Sequence, residues 1–251
     1  GWADAGVIVP WTVWKQFGDK QIIEENWVAM EFYMNHVNDT KYDHVALREE
    51  NGNFQYADWL SYEALESTSG QCWGPNGVRP EAVHYWSYLS ASYWALDATY
   101  MADMAKATGR DANKYQQMAE TAKAYIREQF MNTDGTFKLD VLNTMQTPAL
   151  FALKNGLVEG QAKADMVARL RKNFEEHENC LQTGFLGTSI LMATLTENGM
   201  EDIAYELLFQ HKNPSWLYSV DNGATTIWER WNSYMVDEGM GPKGMNSFNH
   251  Y

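Results

Sequence analysis

Tyr85-Trp86-Ser87-Tyr88-Leu89-Ser90-Ala91-Ser92-Tyr93-Trp94-Ala95-Leu96-Asp97-Ala98-Thr99-Tyr100-Met101-Ala102-Asp103-Met104 is the stretch that decides the fold. Its apolar residues Tyr85, Leu89, Tyr93, Leu96, Tyr100 and Met104 recur at steps of three and four, the spacing that lines one face of an α-helix. The spacing predicts a long helix closed by Gly109. Downstream, Tyr115, Met118, Ala122, Ile126 and Phe130 predict a second, closed near Asp134-Gly135. Upstream, Ile23, Trp27, Met30, Met34 and Val37 predict a third over about Lys20 to Val37, preceded by an apolar helix from Ala3 to Phe17 that ends at Gly18. Asp19 stands where it can cap the next turn.

Shorter helices are expected at Thr147 to Lys154, Gln161 to Glu176, Phe185 to Glu197 and Met200 to Gln210, punctuated by Gly156, Gly160, Gly184 and Gly199. Two last helical pieces are expected at Ala224 to Trp231 and near Ser247, and a short extended piece at Thr136 to Leu139. Strand alternation is sparse, so the class is all-α. Helices joined alternately by short turns and longer loops suit a toroid of helical hairpins, each with an inner and an outer member. No fixed repeat of 34 residues appears, against a tetratricopeptide solenoid.

Between Asn38 and Arg79 the periodicity is lost among Asn51-Gly52-Asn53, Asp58-Trp59-Leu60, Ser67-Thr68-Ser69-Gly70 and Pro75-Asn76-Gly77. A loop this long is usually functional, so it is expected to cover an active-site face. Trp59 within it is either a sugar platform or the aromatic that pins the loop.

The chain has 251 residues, enough for one large domain, and no Ser/Gly-rich spacer divides it. A net charge of −14, from 19 Lys and Arg against 33 Asp and Glu, argues against nucleic acid and against an anionic membrane surface. No apolar run is long enough to span a bilayer. Cys72 and Cys180 make no disulfide framework, and the compartment is left open. His36, His44, His84, His177 and His211 have no ligand spacing, so neither a metal nor a cofactor is expected. Gly184, Gly187 and Gly223 lack the context of a phosphate-binding loop. The surplus of rings, 11 Trp and 14 Tyr, has two uses: heavy core packing, or stacking on the apolar faces of sugars.

The run Ala224-Thr225-Thr226-Ile227-Trp228-Glu229-Arg230-Trp231 concentrates the chemistry. A carboxyl group walled by indoles is poorly hydrated, while a guanidinium beside it favours the ionised form. Such opposed influences tune an acid or base for sugar chemistry. The plainer alternative is a core helix with Trp228 and Trp231 on one face and Glu229–Arg230 as a surface ion pair.

Gly1-Trp2-Ala3-Asp4-Ala5 leading into Val7-Ile8-Val9-Pro10-Trp11, Asp58-Trp59-Leu60, Thr183-Gly184-Phe185-Leu186-Gly187-Thr188, Ala224 to Trp231 and Ser247-Phe248-Asn249-His250-Tyr251 together resemble the catalytic domain of bacterial α-L-rhamnosidases, glycoside hydrolase family 78. The resemblance implies an (α/α)6 barrel and release of terminal α-L-rhamnose with inversion from an oligosaccharide, polysaccharide or glycoside. It makes Glu229 the general base, has His250 contact sugar hydroxyls, puts Trp2 and Trp59 in the rhamnose pocket and leaves Asp4 beside them as a hydroxyl acceptor. Arg230, by adjacency, is expected to orient Glu229 more than to touch substrate. The family's general acid, a glutamate in an Arg-Asp-Glu-Arg-like motif upstream of the segment matching Gly1, has no counterpart here; Arg48-Glu49-Glu50 and Arg127-Glu128 read as solvated charge. The expectation is therefore a piece of a rhamnosidase-like enzyme spanning 1–251, its barrel incomplete at both ends, inactive alone, and either dimeric or poorly soluble. Two rivals stand beside this reading: a helical-barrel glycosidase for another sugar, and a carbohydrate-binding scaffold without chemistry. A scaffold has no reason to gather Glu229, Trp2, Trp59 and His250 in one place.

Overall fold

The computed structural model describes residues 1–40, 56–65, 73–74, 77–242 and 244–250. Nine α-helices are present among them: α1 Ala5–Phe17, α2 Gln21–Thr40, α3 Pro80–Ala107, α4 Asn113–Phe130, α5 Gln146–Lys154, α6 Gly160–Glu176, α7 Phe185–Glu197, α8 Glu201–Leu208 and α9 Trp216–Asp221. Two small antiparallel ribbons accompany them, β1 (Trp73–Gly74) with β2 (Gly77–Val78) and β3 (Tyr234–Met235) with β4 (Gly239–Met240). Cys72, His44, Arg48-Glu49-Glu50 and most of the turn signals between 38 and 79 lie outside the described residues. Cys180 is buried.

Burial separates the helices into two kinds, and the sequence pattern says why. α3 buries side chains around its whole circumference, Trp86, Tyr88, Ser92, Trp94, Asp97 and Met101 as well as the Tyr85–Met104 stripe. A helix enclosed on every side belongs to the centre of a core. α5 is also enclosed, from Gln146 to Leu153. By contrast α4 buries Tyr115, Met118, Ala119, Ala122, Ile126 and Phe130, and α6 buries Met166, Leu170, Asn173 and Phe174, single stripes with a solvated opposite face. The chain thus alternates inner and outer members. The pairs α1–α2, α3–α4, α5–α6 and α7–α8 are helical hairpins, with α3 packed on α1, α2, α4 and α5, and α5 on α7. The turn from α7 to α8 closes at Gly199, whose φ of 71° needs a residue without a Cβ penalty.

Rings bind the layers together. Trp11 of α1 stacks on Tyr100 of α3 at 3.8 Å, and Trp27 of α2 meets the edge of Tyr115 of α4 at 5.7 Å. The Tyr88 hydroxyl donates to the Pro148 carbonyl at 2.7 Å, joining α3 to α5. Most of the aromatic surplus is therefore core packing.

Two helix expectations fail at the C-terminal end. Residues 224–231 and 247–250 are irregular, and the helix in this region is the short α9, which the periodicity did not signal. The two segments pair with each other through backbone hydrogen bonds instead of coiling, as the next section describes. The extended piece at 136–139 reduces to a single bridge between Met131 and Phe137.

Phe151 is fully buried on α5, with its ring 5.2 Å from Tyr93. Phe151→Ala is expected to cost about 3–5 kcal/mol in urea unfolding, while Val28→Ala on the exposed face of α2 changes stability by less than about 0.5 kcal/mol.

Candidate active site

Glu229 is fixed by its own backbone neighbourhood. Its amide donates to the Ser247 carbonyl at 2.9 Å, and its Oε2 accepts from the Ser247 amide at 2.8 Å. Nearby, the His250 amide donates to the Ile227 carbonyl at 2.8 Å, and the Thr226 hydroxyl donates to the Phe248 carbonyl. Ser247 to His250 is thereby laid against Thr226 to Glu229. Trp228 packs its ring on the edge of Phe248 at 5.1 Å. Trp231 turns the other way, donating from Nε1 to the Thr183 carbonyl at 2.9 Å and meeting Trp216 at 5.8 Å. The two tryptophans therefore serve different sides, and the core-helix alternative for this run does not hold.

The Thr183–Thr188 segment opens α7 and carries Phe185. Its ring lies 5.8 Å from Trp2 and 5.5 Å from His250. Tyr56 continues the chain of rings, 5.5 Å from Trp2 and 5.6 Å from Trp59. Between these elements lies a cleft of about 290 Å³ lined by Trp59, Phe185, Trp216, Ile227, Trp228 and Glu229, among others. Glu229 and Trp59 line it directly. Trp2 and His250 stand beside it, joined through Phe185. Among the described lining residues Glu229 is the one carboxylate. Its Oε2 is held by the Ser247 amide, and Oε1 has no protein partner among the described residues.

Two of the expected residues are placed otherwise. Asp4 is fully buried and accepts from the Tyr33 hydroxyl at 2.8 Å. It adjoins Asp97 of α3, whose carboxyl is pushed up by burial and then by the charge of Asp4. Asp4 is not among the described residues that line the cleft. The Arg230 guanidinium donates to Asn232 Oδ1 at 3.2 Å and to the Met245 carbonyl at 3.5 Å. It forms no ion pair with Glu229, which the Ser247 amide orients in its place. Sequence reasoning missed Phe185, Tyr56 and Trp216 as site residues. The first two adjoin or lie within quoted motifs, whereas Trp216 had no sequence signal.

The Tyr56–Leu65 stretch reaches the cleft because two buried carboxylates anchor it. Asp58 Oδ2 accepts from the Thr147 hydroxyl at 2.6 Å and the Gly184 amide at 2.9 Å, and Oδ1 from the Gly187 amide at 2.9 Å. Glu63 Oε1 accepts from the amides of Gln146 and, at 3.1 Å, Thr147, at the start of α5. Gly184 lets the stretch lie close: a Cβ there would stand 2.3 Å from the Trp59 carbonyl oxygen. Burial, with the Asp58 charge second, pushes the Glu63 carboxyl up to about 8, against the opposing pull of the two amides. Burial likewise raises Asp58.

These geometries place the chain among known proteins. The model of the bacterial α-L-rhamnosidase six-hairpin glycosidase domain matches residues 1–251. The chain belongs to this family. An α-L-rhamnosidase of Alteromonas sp. (strain LOR) is 34% identical over 256 residues, covering 100% of this chain and 26% of the relative. One from Formosa agariphila is 35% identical over 254 residues, covering 100% and 25%. The crystal structure of the Streptomyces avermitilis α-L-rhamnosidase complexed with L-rhamnose superposes with a TM-score of 0.77 at 30% identity, covering 98% of this chain and 21% of that one. The chain thus spans about a quarter of the length of the relatives it matches. Its helical hairpins are those of a six-hairpin glycosidase domain.

The Glu63 shift has a measurable sign. Between the unfolded value near 4.5 and the folded value of about 8, the folded state holds the extra proton. Its contribution to stability is present below pH 4.5 and is lost as pH rises to about 8, by up to about 1.4 kcal/mol per pH unit. Glu63→Gln is expected to flatten that part of the stability–pH curve, measured by urea unfolding across the window.

Proposed function

We propose that this chain carries the general base of an inverting α-L-rhamnosidase, and that Glu229 is that base. The observation that supports it most is the Glu229–Ser247 pairing, which holds a carboxylate at an aromatic-walled cleft in a domain of this family. Inverting hydrolysis needs two carboxyl groups about 6.5–9.5 Å apart, one to protonate the leaving oxygen and one to deprotonate a water on the far side of the sugar. The base half is supported by Glu229. As the one carboxylate among the described lining residues, it leaves the acid to be supplied from outside these residues, as part of a longer polypeptide.

The aromatic walls suit the sugar. L-Rhamnose offers an apolar ring face and a methyl group in place of a hydroxymethyl, and burying that carbon against a ring is worth roughly 0.8 kcal/mol. Trp59 is the stacking surface in this reading, with Phe185 and Trp2 continuing the wall. His250, backed by Phe185, binds sugar hydroxyls. The substrate in this reading is a terminal α-L-rhamnosyl group on a glycoside, oligosaccharide or polysaccharide, and the Streptomyces avermitilis relative was crystallised with L-rhamnose.

In the complete polypeptide, Glu229→Gln is expected to lower kcat on p-nitrophenyl α-L-rhamnoside about 10²–10⁴-fold. Proton NMR should find the β anomer of rhamnose as the first product, and the 251-residue chain alone should release little or no nitrophenol. A Gln variant with wild-type kcat overturns the assignment of the base, and the α anomer as first product overturns inversion.

A further inference from the structure

Trp59 lies in a stretch of strained backbone. Ala57 and Leu60, on either side of Asp58-Trp59, both take left-handed conformations, with φ of 47° and 64°. Such conformations are unfavourable for a residue with a side chain and persist only where the surroundings over-determine them. The over-determining group is the Asp58 carboxylate between them. It is 1% exposed and takes hydrogen bonds from three donors on two elements, the Thr147 hydroxyl at the start of α5 and the Gly184 and Gly187 amides at the start of α7.

The next residue shares the constraint. The Trp59 carbonyl accepts from the Phe185 amide at 3.0 Å, so the backbones that carry these two rings are tied by one hydrogen bond. Further along, the Tyr62 amide donates to the Gln182 carbonyl at 2.8 Å. A buried carboxylate is a costly way to fill space, since an apolar side chain of similar volume avoids the loss of hydration. A carboxylate with three donors supplies direction, which an apolar side chain does not.

We propose that Asp58 is a positioning residue for sugar binding, acting through Trp59: its carboxylate fixes the left-handed turns that set the indole at the cleft. The inference rests on the reading that Trp59 is the rhamnose platform. Asp58 itself is enclosed behind the ring and touches no substrate.

The test is a double-mutant cycle in the complete polypeptide, read on p-nitrophenyl α-L-rhamnoside. Asp58→Asn keeps the shape but offers an amide nitrogen to a site that holds only donors. It is expected to raise KM about tenfold with kcat within about threefold, the pattern of lost ground-state binding. In the Trp59→Ala background, where KM is already raised, Asp58→Asn should raise it no further. A residue needed only for folding lowers the amount of active enzyme, and so apparent kcat, without moving KM. Wild-type KM in Asp58→Asn, or effects of the two substitutions that simply multiply, overturns the proposal. Should Asp58→Asn fail to fold, Thr147→Val, which removes one of the three donors, enters the same cycle with an expected rise of about two- to tenfold. A wild-type polypeptide that cleaves no rhamnoside overturns the functional reading and this inference with it. A working wild type with an unmoved Asp58→Asn KM overturns the inference alone.

Discussion

The first backbone amides of a helix have no partner within the helix, and at a buried helix start they must find one elsewhere. α5 and α7 both begin in the interior of this domain, side by side. Their amides at Gln146, Thr147, Gly184 and Gly187 are met by Glu63 and Asp58, side chains from a distant part of the chain. A helix start carries partial positive charge, which favours the ionised form of each carboxyl against the opposing effect of burial. Once those contacts are made, little freedom remains. The stretch that carries the carboxylates must bend through Ala57 and Leu60, Gly184 must lack a side chain, and Trp59 must stand at the cleft. The cleft follows from satisfying two helix ends.

The other wall is built by a different device. From Ala224 onward the chain has little regular structure, and two segments some twenty residues apart hold each other through hydrogen bonds at Thr226, Ile227 and Glu229. The Trp231 indole then ties this assembly to Thr183, next to the start of α7. Both walls therefore hang from the same helix start. Glu229 and Trp59 are positioned relative to one another through a few backbone contacts, without a continuous secondary-structure element between them.

The helical hairpins were legible because burial on a helix leaves a period in the sequence, and the stripe from Tyr85 to Met104 carried it clearly. The gathering of Glu229, Trp59, Trp2 and His250 was legible only through the resemblance of five short motifs. Spacing along the chain has no term for the contacts that join them. Where periodicity was the sole guide it misled: Trp228 and Trp231, three residues apart, suggested a helical face in a segment whose shape is set by pairing with residues 247–250. Asp4 makes a related point: Trp2, two residues before it, is half exposed while Asp4 is fully buried, so closeness in sequence does not carry exposure with it. Arg230 beside Glu229 repeats the lesson, because consecutive side chains point apart.

The packing of Gly187 against Thr147 links two positions forty residues apart. A Cβ at 187 would stand 2.3 Å from the Thr147 hydroxyl oxygen, the same oxygen whose proton goes to Asp58. A side chain at 187 is therefore admissible only if the hydroxyl at 147 withdraws, and its withdrawal leaves a buried carboxylate one donor short. The same Cβ would stand 2.9 Å from Thr183 Cβ and Cγ2, so the position is closed from two sides, and the space for a side chain at 187 is already taken by the group that orients Asp58.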